Sequence, residues 1–160
     1  EERFARRLAK AIVEARALSP IETTDQLAAI IKQAHPAWEK HKHPATRCFQ
    51  AIRIFINEEL STLENTLEQT IAVLAPGGRL AVISFHSLED RLVKQFMQRY
   101  AKPPVEPAAL RRLPTPTSQA TFQPRLRLIG KKIRPTAAEV AHNPRARSAL
   151  LRVAERTEIH

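Results

Sequence analysis

Eight apolar residues at helical spacing place the strongest limit on how this chain folds. They follow one another at steps of three or four residues: Phe49, Ile52, Ile56, Leu60, Leu63, Leu67, Ile71 and Leu74. Such steps line up side chains on one face of an α-helix. The pattern predicts a single continuous amphipathic helix of about 30 residues that begins near Pro44. A helix packed in a core is the simpler interpretation, because a coiled-coil dimer would need more repeats.

A glycine turn, a short apolar run and another helix follow. Pro76-Gly77-Gly78 stops the helical pattern, and Leu80 to Ile83 is uninterruptedly apolar. A run of this kind is typical of a strand buried on both faces, as in a parallel sheet. Residues 88–100 then return to helical spacing. The order of helix, turn, buried strand and helix indicates an α/β layer.

The chain before this region predicts two short helices. Apolar residues recur at helical spacing from Phe4 to Ala15, and Ser19-Pro20 breaks that pattern. Thr23 to Gln26 offers a capping box for a second helix, which His35-Pro36 ends.

The last part of the chain predicts a loop, two strands and a short helix. Residues 103–124 hold six of the twelve prolines, which indicates an exposed loop. Leu126 to Ile133 and Ser148 to Ala154 are strand candidates, and residues 135–143 between them read as a short helix. Antiparallel pairing of the two strands at a sheet edge is the simplest arrangement.

The charge of the chain points to an anionic partner. Lys and Arg total 26 against 16 Asp and Glu, a formal net charge of +10. Residues 1–57 have a net charge of +4 and residues 102–160 of +8, while those between have −2. Nucleic acid and acidic membrane surfaces are the usual partners of such a chain. A membrane surface is disfavoured because the predicted long helix carries acidic side chains at Glu58, Glu59, Glu64 and Glu68.

Cysteine and glycine usage narrows the class further. Cys48 is the one cysteine, which excludes an internal disulfide and favours a reducing compartment such as the cytoplasm. The three glycines cannot form a glycine-rich phosphate or dinucleotide loop within this chain. No apolar run approaches the ~18 residues that a membrane span needs.

The first candidate site precedes the predicted long helix. Three histidines lie near Cys48 and suggest a zinc site: His35, His41 and His43. Their spacing fits no common zinc motif, so we predict no metal site. The start of a helix suits a phosphate, and Arg47 and Arg53 would flank such an anion. A capped helix that follows a solvated loop is the alternative.

The second candidate site runs from Ser84 to Arg91, at the carboxyl end of the predicted strand. In open α/β sheets ligands bind at that edge. A Ser-His-carboxylate hydrolase triad is disfavoured because neighbouring residues converge poorly and G-x-S-x-G is absent. Capping of the next helix by Ser87, with Asp90 three residues later, is the structural alternative.

The third candidate site is the loop from Asn143 to Ser148. Arg145 and Arg147, an amide and a hydroxyl on a loop fixed by Pro144 suit a phosphate or base contact. A generic charged loop is the alternative. Aromatic residues make up 5% of the chain, which disfavours a base-stacking platform.

Four segments in this order resemble one known family. The turn around Pro76-Gly77-Gly78 resembles that before the fifth strand of Rossmann-like S-adenosylmethionine-dependent methyltransferases. The other three are more specific: His43-Pro44-Ala45-Thr46-Arg47 with residues 49–54, Ser84 to Arg91, and Asn143 to Ser148. Together they resemble the MraW family of bacterial 16S ribosomal RNA cytosine-N4 methyltransferases, from Glu2 to Thr157. The family usually has Thr where this chain has Cys48, a change expected to be silent.

The resemblance implies an α/β fold, the C-terminal half of a Rossmann-like methyltransferase with about three strands. Residues 44–160 would be that half, and residues 1–43 the end of a helical insertion that recognises substrate. The implied reaction moves a methyl group from S-adenosylmethionine to the exocyclic N4 of a cytosine in 16S ribosomal RNA of the small subunit. The cofactor loop and the main catalytic residues belong to the preceding half, so this chain alone is expected to be inactive, with no cofactor-binding residues.

The resemblance and the loop positions imply that this chain contributes substrate and RNA contacts. The expected residues are His43, Thr46, Arg47, Gln50, Arg53, Ser84, His86, Ser87, Glu89, Asp90, Arg91, Asn143, Arg145, Arg147 and Ser148. A fragment would expose a sheet edge and apolar surface, which a homodimer could cover. The alternative function is a basic RNA-binding module without chemistry.

Overall fold

The structure is a computed structural model that describes residues 2–37, 43–103 and 122–158. The chain divides into two compact units, residues 1–59 and residues 60–160. His41 and most of the predicted proline-rich loop lie outside the described residues. The family domain boundary after residue 43 stays a prediction.

Three helices form the first unit: α1 (Ala5–Leu18), α2 (Thr24–Ala34) and α3 (Thr46–Ile56). The predicted capping box at α2 is confirmed. Thr23 Oγ1 accepts a hydrogen bond from Gln26 N at 3.2 Å, and Gln26 Oε1 accepts one from Thr23 N at 3.1 Å. The unit has its own apolar core around three buried residues: Leu8, Ile31 and Ala45.

The prediction of one continuous helix from Pro44 to Leu74 is wrong. Helix α3 ends at Ile56, and a separate helix α4 covers Glu59–Val73. Glu58 between them has a φ of 49°, a left-handed conformation that cannot continue a right-handed helix. The apolar spacing hides this break because the step across it is still four residues.

The second unit combines helices with a three-stranded antiparallel sheet. After α4 come β1 (Arg79–Ser84), α5 (Ser87–Ala101), β2 (Leu126–Leu128), α6 (Ala137–His142), a 3-10 helix (Pro144–Ser148) and β3 (Leu150–Arg156). The strand order is β1-β3-β2, with β3 in the centre. The last two strands pair antiparallel as predicted, but β2 ends at Leu128, and Ile133 forms only an isolated bridge with Leu151. The described part of the chain has an α/β fold.

Strand β1 departs from its predicted environment. It is antiparallel to β3, and only one of its faces is covered. Leu80 and Val82 pack on the core, whereas Ile83 on the opposite face is 60% exposed. The apolar run predicted burial on both faces and a parallel sheet. Both expectations are wrong for the described residues, because hydrophobicity reveals neither strand direction nor what covers the second face.

The core of the second unit lies between the sheet and its two long helices. Its buried side chains are Leu67 and Ile71 of α4, Val93, Phe96 and Met97 of α5, Leu126 of β2 and Ala154 of β3. At the far end of the sheet, Gly77 has a φ of 76° and donates to the carbonyl of Arg156 at 2.9 Å. This turn fixes the register between β1 and β3.

The helices of residues 2–37, 43–103 and 122–158 include none with the length and hydropathy needed to cross a lipid bilayer.

Candidate functional site

Two of the predicted sites lie side by side at one end of the sheet, where β1 ends and β3 begins. Ser84, the last residue of β1, is paired with Leu150, the first residue of β3. The segment Ser84 to Arg91 therefore leaves this end next to the place where the segment Asn143 to Ser148 enters it. We call this place the loop edge. Its residues come from positions about 60 apart in the sequence, and the antiparallel register brings them together.

The cap of α5 differs from the sequence prediction. His86, and not Ser87, is the N-cap residue: its Nδ1 accepts a hydrogen bond from Glu89 N at 3.4 Å. In return Glu89 Oε2 accepts from the backbone N–H groups of Phe85 at 3.0 Å and His86 at 3.3 Å. The prediction failed because His is an uncommon cap, whereas Ser is among the preferred ones.

Two buried polar atoms at the loop edge lack hydrogen-bond partners within the described residues. Ser84 is 2% exposed and its Oγ makes no hydrogen bond. Because Nδ1 of His86 acts as an acceptor, a neutral imidazole carries its proton on Nε2. That Nε2 is buried and lies 3.2 Å from Glu89 Oε1 without hydrogen-bond geometry. Unsatisfied buried groups are uncommon and often mark places where water or a ligand binds.

Asp90 makes the strongest polar contact of the site. Arg152 of β3 donates from Nε to Asp90 Oδ1 at 2.7 Å and from Nη2 to Oδ2 at 3.0 Å. This bidentate hydrogen bond holds the pKa of the Asp90 carboxyl below its usual value, and the positive charges of Lys132 and Lys94 add to the effect. Asp90 is thus a structural link between α5 and the sheet. Its neighbours Ser87 and Arg91 are exposed.

The second loop presents two arginines to solvent. Asn143 Oδ1 accepts a hydrogen bond from Arg145 N at 3.2 Å and caps the 3-10 helix, with Pro144 in its first turn. Ala146 is buried and anchors the turn, while Arg145 and Arg147 on either side are exposed. Neither guanidinium forms an ion pair with another described residue. Ser148 is also exposed beside the loop edge.

The remaining predicted contacts lie in the first unit, around α3. His43 is exposed and its Nδ1 accepts a hydrogen bond from Ala45 N at 3.2 Å. Arg53, proposed to flank an anion with Arg47, instead binds a carboxylate: its Nε lies 2.9 Å from Glu59 Oε1. The remaining candidates on this helix are Thr46, which is exposed, and Arg47 and Gln50, which are half-buried.

The candidate metal ligands of the described ranges do not cluster. No group of three or more His, Cys, Asp or Glu side chains there is placed to hold a metal ion.

Arg152 is the residue of the site that sequence reasoning missed. The available signal was a charged residue inside an otherwise apolar strand, Leu150 to Ala154. A buried or half-buried arginine needs an anionic partner. That partner lies 62 residues earlier, so the sequence alone offered no way to name it.

The amino-acid sequence of the chain matches one protein family and a set of similarly named relatives. The family model described as the MraW methylase family matches residues 1–157. The chain is 55% identical over 159 residues to a protein of Legionella pneumophila (strain Paris) named ribosomal RNA small subunit methyltransferase H, covering 98% of this chain and 49% of the relative. A protein of the same name from Thioalkalivibrio sulfidiphilus is 59% identical over 156 residues, covering 98% of this chain and 48% of the relative.

The chain spans about half the length of the curated relatives that it matches. A family match over nearly every residue, with identities above one half, leaves no ambiguity about ancestry. The chain belongs to the MraW methylase family.

Proposed function

We propose that the protein carrying this chain transfers a methyl group from S-adenosylmethionine to the exocyclic N4 of a cytosine in 16S ribosomal RNA. The observation that carries this proposal is the family match over residues 1–157, together with relatives named ribosomal RNA small subunit methyltransferase H. In this proposal residues 44–160 are the C-terminal half of a Rossmann-like domain, and residues 1–43 are the end of a helical insertion. The protein acts in the cytoplasm on the small ribosomal subunit.

The chemistry explains why such an enzyme needs a shaped polar pocket. The N4 amine is a poor nucleophile, because its lone pair is delocalised into the cytosine ring. The protein must hold this amine about 3–3.5 Å from the methyl group and in line with it. S-adenosylmethionine, when bound, supplies the electrophilic methyl group. The base must also be unstacked from its neighbours before it can enter the site.

The loop edge supplies two groups that suit this task. We assign the Ser84 hydroxyl and the His86 Nε2–H to hydrogen bonds with the flipped nucleotide, because both atoms are buried and lack partners in the described chain. Glu89 holds His86 in the required tautomer through the cap of α5. Asp90 stays with Arg152 and positions the start of α5 rather than touching the base.

The exposed arginines of the second loop suit the RNA backbone. Arg145 and Arg147 lie next to the loop edge, so phosphates flanking the target cytosine would come within their reach. Replacing both with Ala should weaken RNA binding and reduce the slope of log K against log salt by about one per lost phosphate contact. The matched control replaces Arg79 and Lys102, two exposed cations outside the proposed RNA contacts, with Ala. Unchanged affinity and salt slope would show that the loop does not bind RNA.

A chimera tests the proposed reaction. This chain replaces the matched segment of the Legionella pneumophila relative, and transfer of labelled methyl from S-adenosylmethionine to small-subunit RNA is measured. We expect methyl transfer, with mass spectrometry of nuclease digests locating the label on cytosine N4. A chimera that melts at the temperature of its parent yet transfers no methyl, or labels another atom, would contradict the proposal.

Calorimetric titration tests the division of labour within the protein. The 160-residue chain alone should bind RNA but neither bind S-adenosylmethionine tightly nor transfer methyl. In this proposal the cofactor site lies in the half of the relatives that this chain does not match. Tight binding of S-adenosylmethionine to the 160-residue chain would contradict that assignment.

A further inference from the structure

A wide bulge interrupts the sheet on the side of α5. Ile129 N donates to the carbonyl of Val153 at 2.9 Å, and pairing resumes where Ile133 bridges Leu151. The three residues 130–132 therefore lie opposite a single residue of β3. Bulges of this kind redirect side chains away from the regular alternation of a strand, and they are enriched next to functional sites.

The bulge forms one wall of a small groove against α5. Gly130 has a φ of 68°, a conformation that glycine adopts without strain and that turns the chain at this point. The groove has a volume of about 50 Å³. We call it the lysine groove, and its polar lining comes from Lys94 and Gln98 of α5, Lys131 and Lys132 of the bulge, and Arg152 of β3.

The lysine groove carries a net positive charge, because three lysines and Arg152 stand against the single carboxylate of Asp90. Lys94, Lys131 and Lys132 are exposed, and none of them forms an ion pair with a described residue. The nearby carboxylate of Asp90 is already bound in bidentate fashion by Arg152. Three lysines and Arg152 thus line one groove, and Asp90 is the one carboxylate among the described residues shown to interact with them. Like charges placed together repel, and an anion relieves that repulsion.

The size of the groove selects the kind of anion. Sites for drug-sized ligands and cofactors measure about 300–1,000 Å³. The lysine groove is several times smaller than that range, so a nucleoside does not fit inside it. It admits a single tetrahedral oxyanion such as a phosphate, which lysine ammonium groups bind well as point charges.

We propose that the lysine groove binds one phosphate of the RNA backbone, at a place separate from the pocket for the target base. The inference rests on the proposed function, since it takes RNA as the source of the phosphate. The groove is built from the middle of α5 and the bulge, whereas the loop edge lies where β1 ends and β3 begins. Its role is to hold the RNA backbone in register while the loop edge receives the nucleotide.

Fluorescence anisotropy with a labelled hairpin from 16S ribosomal RNA tests this site. The wild-type chain is compared with Lys94→Gln/Lys131→Gln/Lys132→Gln and with a control of equal charge change among exposed cations outside the proposed contacts, Arg79→Gln/Arg99→Gln/Lys102→Gln. We expect the groove variant to lose affinity roughly tenfold at low salt and its salt slope to fall by about one, as for one lost phosphate. The control should lose clearly less.

Each other outcome overturns the inference. If the wild-type chain does not bind the RNA, the groove has no RNA ligand, whether or not the chimera transfers methyl. If both variants weaken equally, RNA binding follows total charge and not this groove. If the groove variant binds as well as the wild type, the groove is not an RNA site, and the proposed methyl transfer is unaffected.

Amide shifts of Gly130 and Lys131 in NMR spectra separate the two sources of phosphate. The hairpin should shift both resonances at concentrations where inorganic phosphate, titrated at constant ionic strength, leaves them unchanged. Saturation by inorganic phosphate without any response to RNA would assign the groove to free phosphate and overturn the proposal.

Discussion

Asp90 shows how a single residue of the site serves the fold. Its carboxylate receives two hydrogen bonds from Arg152, and both side chains are largely shielded from solvent. The pair joins the first turns of α5 to the central strand. Hydrogen bonds between charged groups contribute more to stability than bonds between neutral groups. Removing one partner is costly because the other charged group stays shielded from water without a hydrogen bond.

Asp90→Asn is expected to lower the free energy of unfolding by about 1–2 kcal/mol at pH 7. Arg152 lowers the pKa of Asp90 in the folded state, so the contribution of the pair is complete above the unfolded pKa. It is lost as the pH falls below about 4 and through the folded pKa. Urea unfolding of both proteins at pH 7 and pH 3 checks this, and the difference should shrink in acid.

Glu14→Gln provides the control for Asp90. Glu14 forms an exposed ion pair with Lys10 across one turn of α1, which is worth a few tenths of a kcal/mol. A difference for Asp90→Asn that is no larger than for Glu14→Gln, or that persists unchanged at pH 3, would refute the structural role of the Asp90–Arg152 pair.

His86 combines a cap with a proposed contact to substrate, and two substitutions separate these roles. His86→Ala removes the cap and should destabilise the chain by about 1 kcal/mol, whereas His86→Asn keeps a capping acceptor and should restore that stability. In the chimera, both variants should lose methyl transfer because neither has the imidazole Nε2–H. Full activity of His86→Asn would confine His86 to capping.

At the scale of elements, the sequence predicted most of the helices. Its predictions failed where a structure depends on one backbone angle or on pairing between distant strands. Periodicity located α1, α2 and α5, and the capping box also located the start of α2. Glu58 interrupts the longest pattern through its φ angle, which no apolar spacing records. The bulge at residues 130–132 was equally invisible, because it exists only relative to β3. The sequence predicted that two loops next to strand ends belong to the site. That these loops lie side by side follows only from the pairing of Ser84 with Leu150, which the sequence does not reveal.

Glu58→Gly tests the break between α3 and α4. A non-glycine residue in the left-handed region costs roughly 1 kcal/mol, so glycine should stabilise the chain by up to that amount. The same change at Glu64, inside α4, should destabilise it by about 1 kcal/mol. Thermal unfolding of the two variants gives the comparison. Equal destabilisation by both would mean that residues 57–59 are helical and that the single-helix prediction was right.

At the scale of the whole molecule, two separate cores divide the chain at Glu59 and Leu60. Ile31 is 0% exposed in the first core and Leu126 is 1% exposed in the second. No single hydrophobic cluster of the described residues contains members of both. The net charge of the sequence changes sign after residue 57, but the predicted single helix runs across that point and gave no sign of a division there.

Truncation in either core should act locally. Ile31→Ala and Leu126→Ala each remove a buried side chain and should cost about 2–5 kcal/mol in their own unit. Hydrogen exchange measured by mass spectrometry should show faster exchange in residues 1–59 for the first variant and in residues 60–160 for the second. Faster exchange throughout the chain in both variants would mean that the units unfold together.

The central position of β3 has a consequence for synthesis on the ribosome. β1 and β2 form no ladder with each other, and β3 is the last of the three strands along the chain. The nascent chain therefore carries β1 with its pairing edge open until residues 150–156 have been made. The sheet cannot grow strand by strand as the chain emerges, so its hydrogen bonds form together in a late step. A chain whose synthesis stops before β3 has none of these ladder bonds, which makes it a ready target for chaperones and proteases.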